Sequence, residues 1–175
     1  MKTQQKISSS LLLVFAFVLL SVSFFTTHSS AKDFAKNIIV MQVGPEFNRE
    51  LNCLAENIYF EAGAESYEGK LAVANVVINR MNSGKFPSSV CGVVKQKIGN
   101  TYQFSWVGEK FKSVTNKYQW DESVFVARKA LTEPAVHDII NKTNAMYYHN
   151  TTVNPGWHLT RITTIGKHIF YKEKI

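Results

Sequence analysis

Two glutamates four residues apart, Glu61 and Glu65, are the side chains of this sequence best placed for acid–base chemistry. Leu51, Leu54, Ala55, Ile58, Tyr59 and Ala62 recur at the spacing of one apolar helical face. At about 100° per residue, Glu61 falls at the edge of that stripe and Glu56 points well away from it. A carboxylate in the last turn of an otherwise apolar helix is costly to bury while charged. Its neutral form is favoured, which suits a general acid. The competing reading is a half-exposed surface glutamate. Gly63 is expected to end the helix in the left-handed conformation common just past a helix end. That break leaves Glu65 without a fixed helical spacing from Glu61. Asp121, Glu122 and Asp138 stand in unrelated contexts.

Other chemistries find less support. Glu61, His149, His158 and His168 could in principle gather a zinc ion, but no His-Glu-x-x-His pair is present, so neither a metal nor a cofactor is expected. Cys53 and Cys91 each sit in an apolar helical pattern rather than a polar setting that would stabilise a thiolate.

The elements that must position these residues begin after an N-terminal segment of different character. Lys2 and Lys6 precede an apolar run over 11–25, and Ser29-Ser30-Ala31 follows it. Residues 1–31 read as a secretory signal, with an uncleaved anchor as the alternative, although such an anchor usually needs about 20 apolar residues. Residues 32–49 read as a linker with Gly44-Pro45 as its break, and 50–175 as one domain with a single core. Without residues 1–31 the chain holds 18 basic against 13 acidic residues, a net charge of +5. A basic exported protein is drawn to an anionic wall polymer, or to a membrane surface. The scattered Lys and Arg residues argue against nucleic acid, which clustered basic helices bind. Any membrane contact is expected only through the N-terminal segment if it stays uncleaved. In an oxidising compartment, Cys53 and Cys91 are a natural disulfide pair, two buried thiols being the alternative.

Along the chain, Glu68-Gly69 opens a second helix that is apolar nearly all round, the mark of a central core helix. Asn75 and Asn79 interrupt it on one face; they either tie down loop backbone or meet substrate. Ser83-Gly84 ends it. A short helix over 90–96 follows the cap at Ser89, and Gly99-Asn100-Thr101 turns the chain into Gln103-Phe104-Ser105-Trp106. Asp121 is expected to cap a helix through about Leu131, with one more short turn from Glu133-Pro134 to near Asn141. Residues 145–149, 159–165 and 167–171 are β-rich runs separated by turn residues. The fold class is therefore α+β, mainly helical, with a small antiparallel sheet near the C-terminus walling one side of a cleft.

Several blocks in order resemble the SleB-like cell wall hydrolases, a family that includes spore-cortex-lytic enzymes. They are Ile58-Tyr59-Phe60-Glu61-Ala62, Gly63-Ala64-Glu65-Ser66-Tyr67-Glu68-Gly69, Ala72-Val73-Ala74-Asn75-Val76-Val77, Asn79-Arg80 and Phe86-Pro87. Val90-Cys91-Gly92-Val93-Val94, Gln103-Phe104-Ser105-Trp106, Tyr147-Tyr148-His149-Asn150, Pro155-x-Trp157 and Ile165-Gly166-x-His168-x-Phe170 continue the match to about residue 171. The resemblance implies a lysozyme-like domain that cleaves peptidoglycan glycan strands outside the cytoplasm. It implies Glu61 as the acid; Glu65, four residues on, stays as the backup acid or as a residue that positions the loop. Gln103, Phe104, Tyr148, His149, Trp157 and His168 are implied to bind substrate. One acid without a convincing carboxylate partner fits a lytic transglycosylase; a hydrolase would need that partner, and a wall-binding module would need no acid at all. No regulatory or localising partner protein can be named from these residues.

Overall fold

The helix that carries Glu61 begins well before its apolar stripe. The computed structural model describes residues 44–110, 112–133 and 144–174. In it α1 spans Pro45–Ala62, so residues 45–49 are helix rather than the end of a linker. Proline suits the first helical position, where its missing N–H costs nothing. Glu46 pairs with Arg49 at 2.6 Å, and Glu50 Oε2 accepts the backbone N–H of Cys91 at 3.0 Å, which ties the extra turn to the domain. The expected signal segment and the linker up to residue 43 lie outside the described residues, as does the short turn over 134–141.

Gly63 ends α1, but not in the expected way. It is absent from the described glycines with positive φ, which are Gly84, Gly99, Gly156 and Gly166. A Cβ at Gly63 would instead lie 2.5 Å from the carbonyl oxygen of Tyr59, so the chain needs a residue without a side chain there.

Helix α2 (Tyr67–Asn82) is buried nearly all round, as its composition requires, and Ser66 caps it by accepting from Gly69 N. Helix α3 (Val90–Val94) is capped in the same way by Ser89. A two-stranded hairpin, β1 (Lys97–Ile98) and β2 (Thr101–Tyr102), leads into a 3₁₀ turn at Ser105–Gly108. Helix α4 spans Lys117–Thr132 and starts before Asp121. Its cap is Asn116, whose side chain accepts from Gln119 N at 3.1 Å, while Asp121 pairs with Lys117 one turn back. Among the described residues, no helix is long and apolar enough to cross a membrane.

Strands β3 (Tyr147–Asn150), β4 (Thr160–Ile165) and β5 (His168–Lys172) form the C-terminal sheet in the order β3-β5-β4, both pairings antiparallel. Tyr148 stands opposite Phe170, and His149 opposite Ile169. A register shift at Arg161/Thr163 bends β4. The core gathers Leu54 and Ile58 of α1, Val73, Val76 and Val77 of α2, Val126 of α4 and Phe170 of β5. A disulfide joins Cys53 to Cys91 across a sequence separation of 38, stapling α1 to α3. A loop of that length stabilises by about 4 kcal/mol in the chain-entropy model.

Candidate active site

Glu61 sits in the last turn of α1, half-buried, and Tyr148 of β3 donates its hydroxyl to Glu61 Oε2 at 3.1 Å. Period-two alternation along β3 is what brings Tyr148 there. Tyr148, His168 and Phe170 share the sheet face turned to the core, with Tyr148 packed edge-on against His168 at 5.1 Å and tilted on Phe170 at 5.6 Å. Burial pushes the Glu61 carboxyl above its ordinary value. The Tyr148 hydrogen bond and the charges of Lys112 and Arg80 pull the other way. Burial, helped by the neighbouring Glu61, raises the Tyr148 phenol well above its usual range, so it serves as a hydrogen-bond donor and not as a base.

Such a carboxyl holds its proton nearer to neutral pH than an exposed glutamate does, and a fixed donor meets its carboxylate form. The group is equipped to give up a proton and later take one back. Phe60, the residue before Glu61, stacks on Trp106 at 4.7 Å, and Lys112 lies 5.8 Å from the Phe60 ring. Trp106 Nε1 in turn donates to the buried Asn57 of α1 at 3.2 Å. The end of α1 is thus braced by aromatic packing, with polar groups at its open side.

Glu65 does something else. Its Oε2 accepts the backbone N–H of Lys167 at 3.1 Å, and a Cβ at Gly166 would strike that same oxygen. Gly166 has φ +55°. The carboxylate therefore clasps the β4–β5 turn against the α1–α2 loop. The buried Lys70 fixes the same loop from behind, donating to the Glu65 carbonyl and to Glu122, each at 2.9 Å.

The remaining expected site residues divide between two places. Tyr148 and His168 stand on the Glu61 side of the sheet. His168 is buried, and burial lowers its imidazole, against the charge of Glu65 and with the help of His149. His149 and Trp157 belong to the opposite face, away from Tyr148. His149 lies on Tyr171 at 5.2 Å and meets its hydroxyl at 2.9 Å, and Trp157 stands edge-on to His149 at 5.5 Å and to Tyr171 at 5.9 Å. Adjacent strand residues do not share a face, so the structure puts Tyr148 on the Glu61 side and His149 on the other. The expectation for Phe104 is corrected. It is a core side chain, 4% exposed, with the Arg80 guanidinium 5.4 Å from its ring, and offers no free face to a ligand. Gln103 stays half-exposed beside it, its backbone N–H donated to Gln96.

Arg80 is the residue near the acid that sequence reasoning passed over. Its position is readable: it follows Val73, Val76 and Val77 at helical spacing, which predicts burial of a charged side chain in the core helix. Asn79, by contrast, does what one of its two readings expects, donating to the backbone carbonyl of Ala145 at 3.0 Å.

Comparison with known proteins bears on this geometry. A family model described as cell wall hydrolase matches residues 64–171, a stretch that begins three residues after Glu61. A spore cortex-lytic enzyme of Oceanobacillus iheyensis is 37% identical over 126 residues, covering 70% of this chain and 41% of the relative. One of Bacillus subtilis is 35% identical over 130 residues, covering 70% and 37%. The chain thus spans about two fifths of the length of these curated relatives. The crystal structure of the catalytic domain of the Bacillus cereus SleB protein superposes with a TM-score of 0.51 at 28% identity, covering 71% of this chain and 91% of that one. The fold is accordingly an α+β, lysozyme-like one.

Proposed function

Since the chain belongs to the cell wall hydrolase family, we propose that it cleaves peptidoglycan at the β-1,4 bond between N-acetylmuramic acid and N-acetylglucosamine, as a lytic transglycosylase with Glu61 as its acid and base. The observation that carries this reading is the Glu61–Tyr148 pair: a carboxyl raised by burial, with a fixed hydroxyl donor on it. Glu61 gives its proton to the glycosidic oxygen, and the bond from the muramyl C1 to that oxygen breaks. The leaving N-acetylglucosamine keeps the proton as its 4-hydroxyl. The muramyl C1 passes through an oxocarbenium-like state and is captured by the same sugar's 6-hydroxyl oxygen. The proton of that hydroxyl returns to Glu61, now a carboxylate held by Tyr148. The product is a 1,6-anhydro sugar, no water is consumed, and the acid is regenerated.

A hydrolase of the usual design would use a second carboxylate to activate water or to act as nucleophile. Glu65 is the nearest carboxylate in sequence, and it is engaged with the β4–β5 turn. That favours the one-carboxyl route. The substrate is the glycan strand of the wall, and the place of action the cell envelope, in keeping with an exported chain.

Digestion of purified peptidoglycan by the parent chain, Glu61→Gln and Glu65→Gln, with products read by mass spectrometry, tests this. Anhydro-muropeptides that disappear with Glu61→Gln alone are expected, at a loss of about a hundredfold or more. Reducing ends formed by added water would make the enzyme a muramidase. Binding to sacculi without any product from the parent would leave a wall-binding module.

A further inference from the structure

Arg80 is a charged side chain that the mechanism above leaves unused, and it is 6% exposed. Its Nε donates to the backbone carbonyl of Met146 at 2.7 Å. Its guanidinium lies 5.1 Å from the Phe86 ring, 5.4 Å from Phe104 and 5.6 Å from Tyr147. Among the described residues it forms no ion pair, and its Nη1 is buried without a hydrogen-bond partner. A buried cation is ordinarily matched by a carboxylate, because desolvation is costly. Here three aromatic faces and one carbonyl hold it instead, and aromatic rings stabilise a cation without neutralising it.

We propose that Arg80 is a positioning residue of the acid–base site, an uncompensated charge caged in the core that favours the carboxylate state of Glu61 and fixes the strand bearing Tyr148. The inference rests on the reading of Glu61 as a single acid and base. Both halves follow from placement. The carbonyl that Arg80 grips belongs to Met146, two residues before the tyrosine that bonds Glu61. The groups that act electrostatically on Glu61 are Tyr148 from β3, Lys112 from the segment before α4 and Arg80 from α2; those that act on Arg80 are Tyr148, Tyr147 and Glu61. Burial without a counter-charge would make Glu61 hold its proton so firmly that it could not give it to the glycosidic oxygen. Lys112 cannot supply the balance alone, because its side chain is 37% exposed and salt screens it. Arg80 is enclosed on all sides, and an enclosed charge is screened far less.

The test is a direct titration of the Glu61 side-chain carboxyl by NMR in ¹³C-glutamate-labelled full chain, with Glu61→Gln as the assignment control. It is run on the parent, Arg80→Gln, Arg80→Lys and Lys112→Met, beside pH–rate profiles on peptidoglycan. In Arg80→Gln the midpoint moves to higher pH and the descending limb of the rate profile moves with it; Arg80→Lys restores most of both. Lys112→Met also moves the midpoint to higher pH, but high salt removes that shift. A Glu61 midpoint unchanged in Arg80→Gln overturns the proposal, whatever happens to the rate. Should that variant fail to fold, the parent decides: a midpoint that climbs steeply between low and high salt would place the relevant charge on the surface and overturn it equally. Because the titration needs no turnover, a parent without glycosidase activity would defeat the functional reading and leave the coupling between Arg80 and Glu61 measurable.

Discussion

Glu61 and Glu65 are the same residue type four positions apart, yet the two regions they occupy treat a carboxylate in opposite ways. The last turn of α1 exposes carbonyls and no free N–H, so Glu61 finds no backbone donor there and depends on a side chain brought from β3. The turn between β4 and β5 offers a backbone N–H, and Glu65 takes it. One carboxyl is pushed by desolvation towards its protonated form. The other is held as an anchor between two loops. The difference lies in what surrounds each carboxyl, and it separates an acid from a clasp.

The comparison breaks most visibly at Tyr148. Tyr148→Phe removes the hydroxyl and keeps the ring that packs on His168 and Phe170. A hydrogen bond to a charged group is worth about 1.5–3 kcal/mol, so turnover is expected to fall about tenfold to a hundredfold. The lost hydrogen bond also lets the Glu61 midpoint rise, moving the descending limb of the pH–rate profile to higher pH. An unchanged rate and profile would mean that Glu61 is as indifferent to its partner as a surface glutamate.

The clasp gives a different signature. Gly166→Ala adds a Cβ at φ +55° and directly against Glu65 Oε2. Melting should fall, at a cost of about 1–3 kcal/mol, because the strain and the clash fall on one residue. Glu65→Gln keeps an oxygen that can accept the Lys167 N–H, so it is expected to hold activity within about threefold and to melt close to the parent, since a surface substitution usually costs about 0.5 kcal/mol or less. If Glu65→Gln instead matched the loss in Glu61→Gln, the two regions would not differ and a two-carboxylate mechanism would replace the present one.

Much of this could be read from residue order. The apolar stripe of α1, the all-round apolar α2 and the three β-rich runs are periodic signals, and each became the expected element. The cap of α4 escaped because Asn116 and Asp121 are both good caps, and what fixes the start of α4 is remote. The Tyr59 hydroxyl accepts the N–H groups of Thr115 and Asn116, at 3.1 and 3.0 Å. The division of Tyr148 and His149 between two faces follows from strand alternation once the strand is known, although a short motif makes neighbours look like partners. Phe104 misled in another way: an aromatic residue next to a glutamine can line a groove or fill a core, and only packing decides. Lys112 acts on Glu61 across about fifty residues of chain and carried no local signal at all.

The smallest effect sharpens the comparison furthest, because it reads stability rather than rate. Folding holds the Glu61 carboxyl above its ordinary value, mainly by desolvation. The folded state therefore binds that proton more tightly than the unfolded chain does. Its contribution to stability is complete below the unfolded glutamate midpoint, about pH 4.3, and is lost as pH rises through the raised folded value. Glutamine resembles the protonated form at every pH. Glu61→Gln should then melt slightly above the parent at pH 7, with the gain vanishing near pH 4, as scanning calorimetry at the two pH values would show. Glu65→Gln should show no such gain at pH 7, since the Lys167 N–H meets its side-chain oxygen in either residue. A gain in Glu61→Gln that persisted undiminished at pH 4 would trace to packing instead of charge, and Glu61 would no longer differ from Glu65 in the way its burial requires.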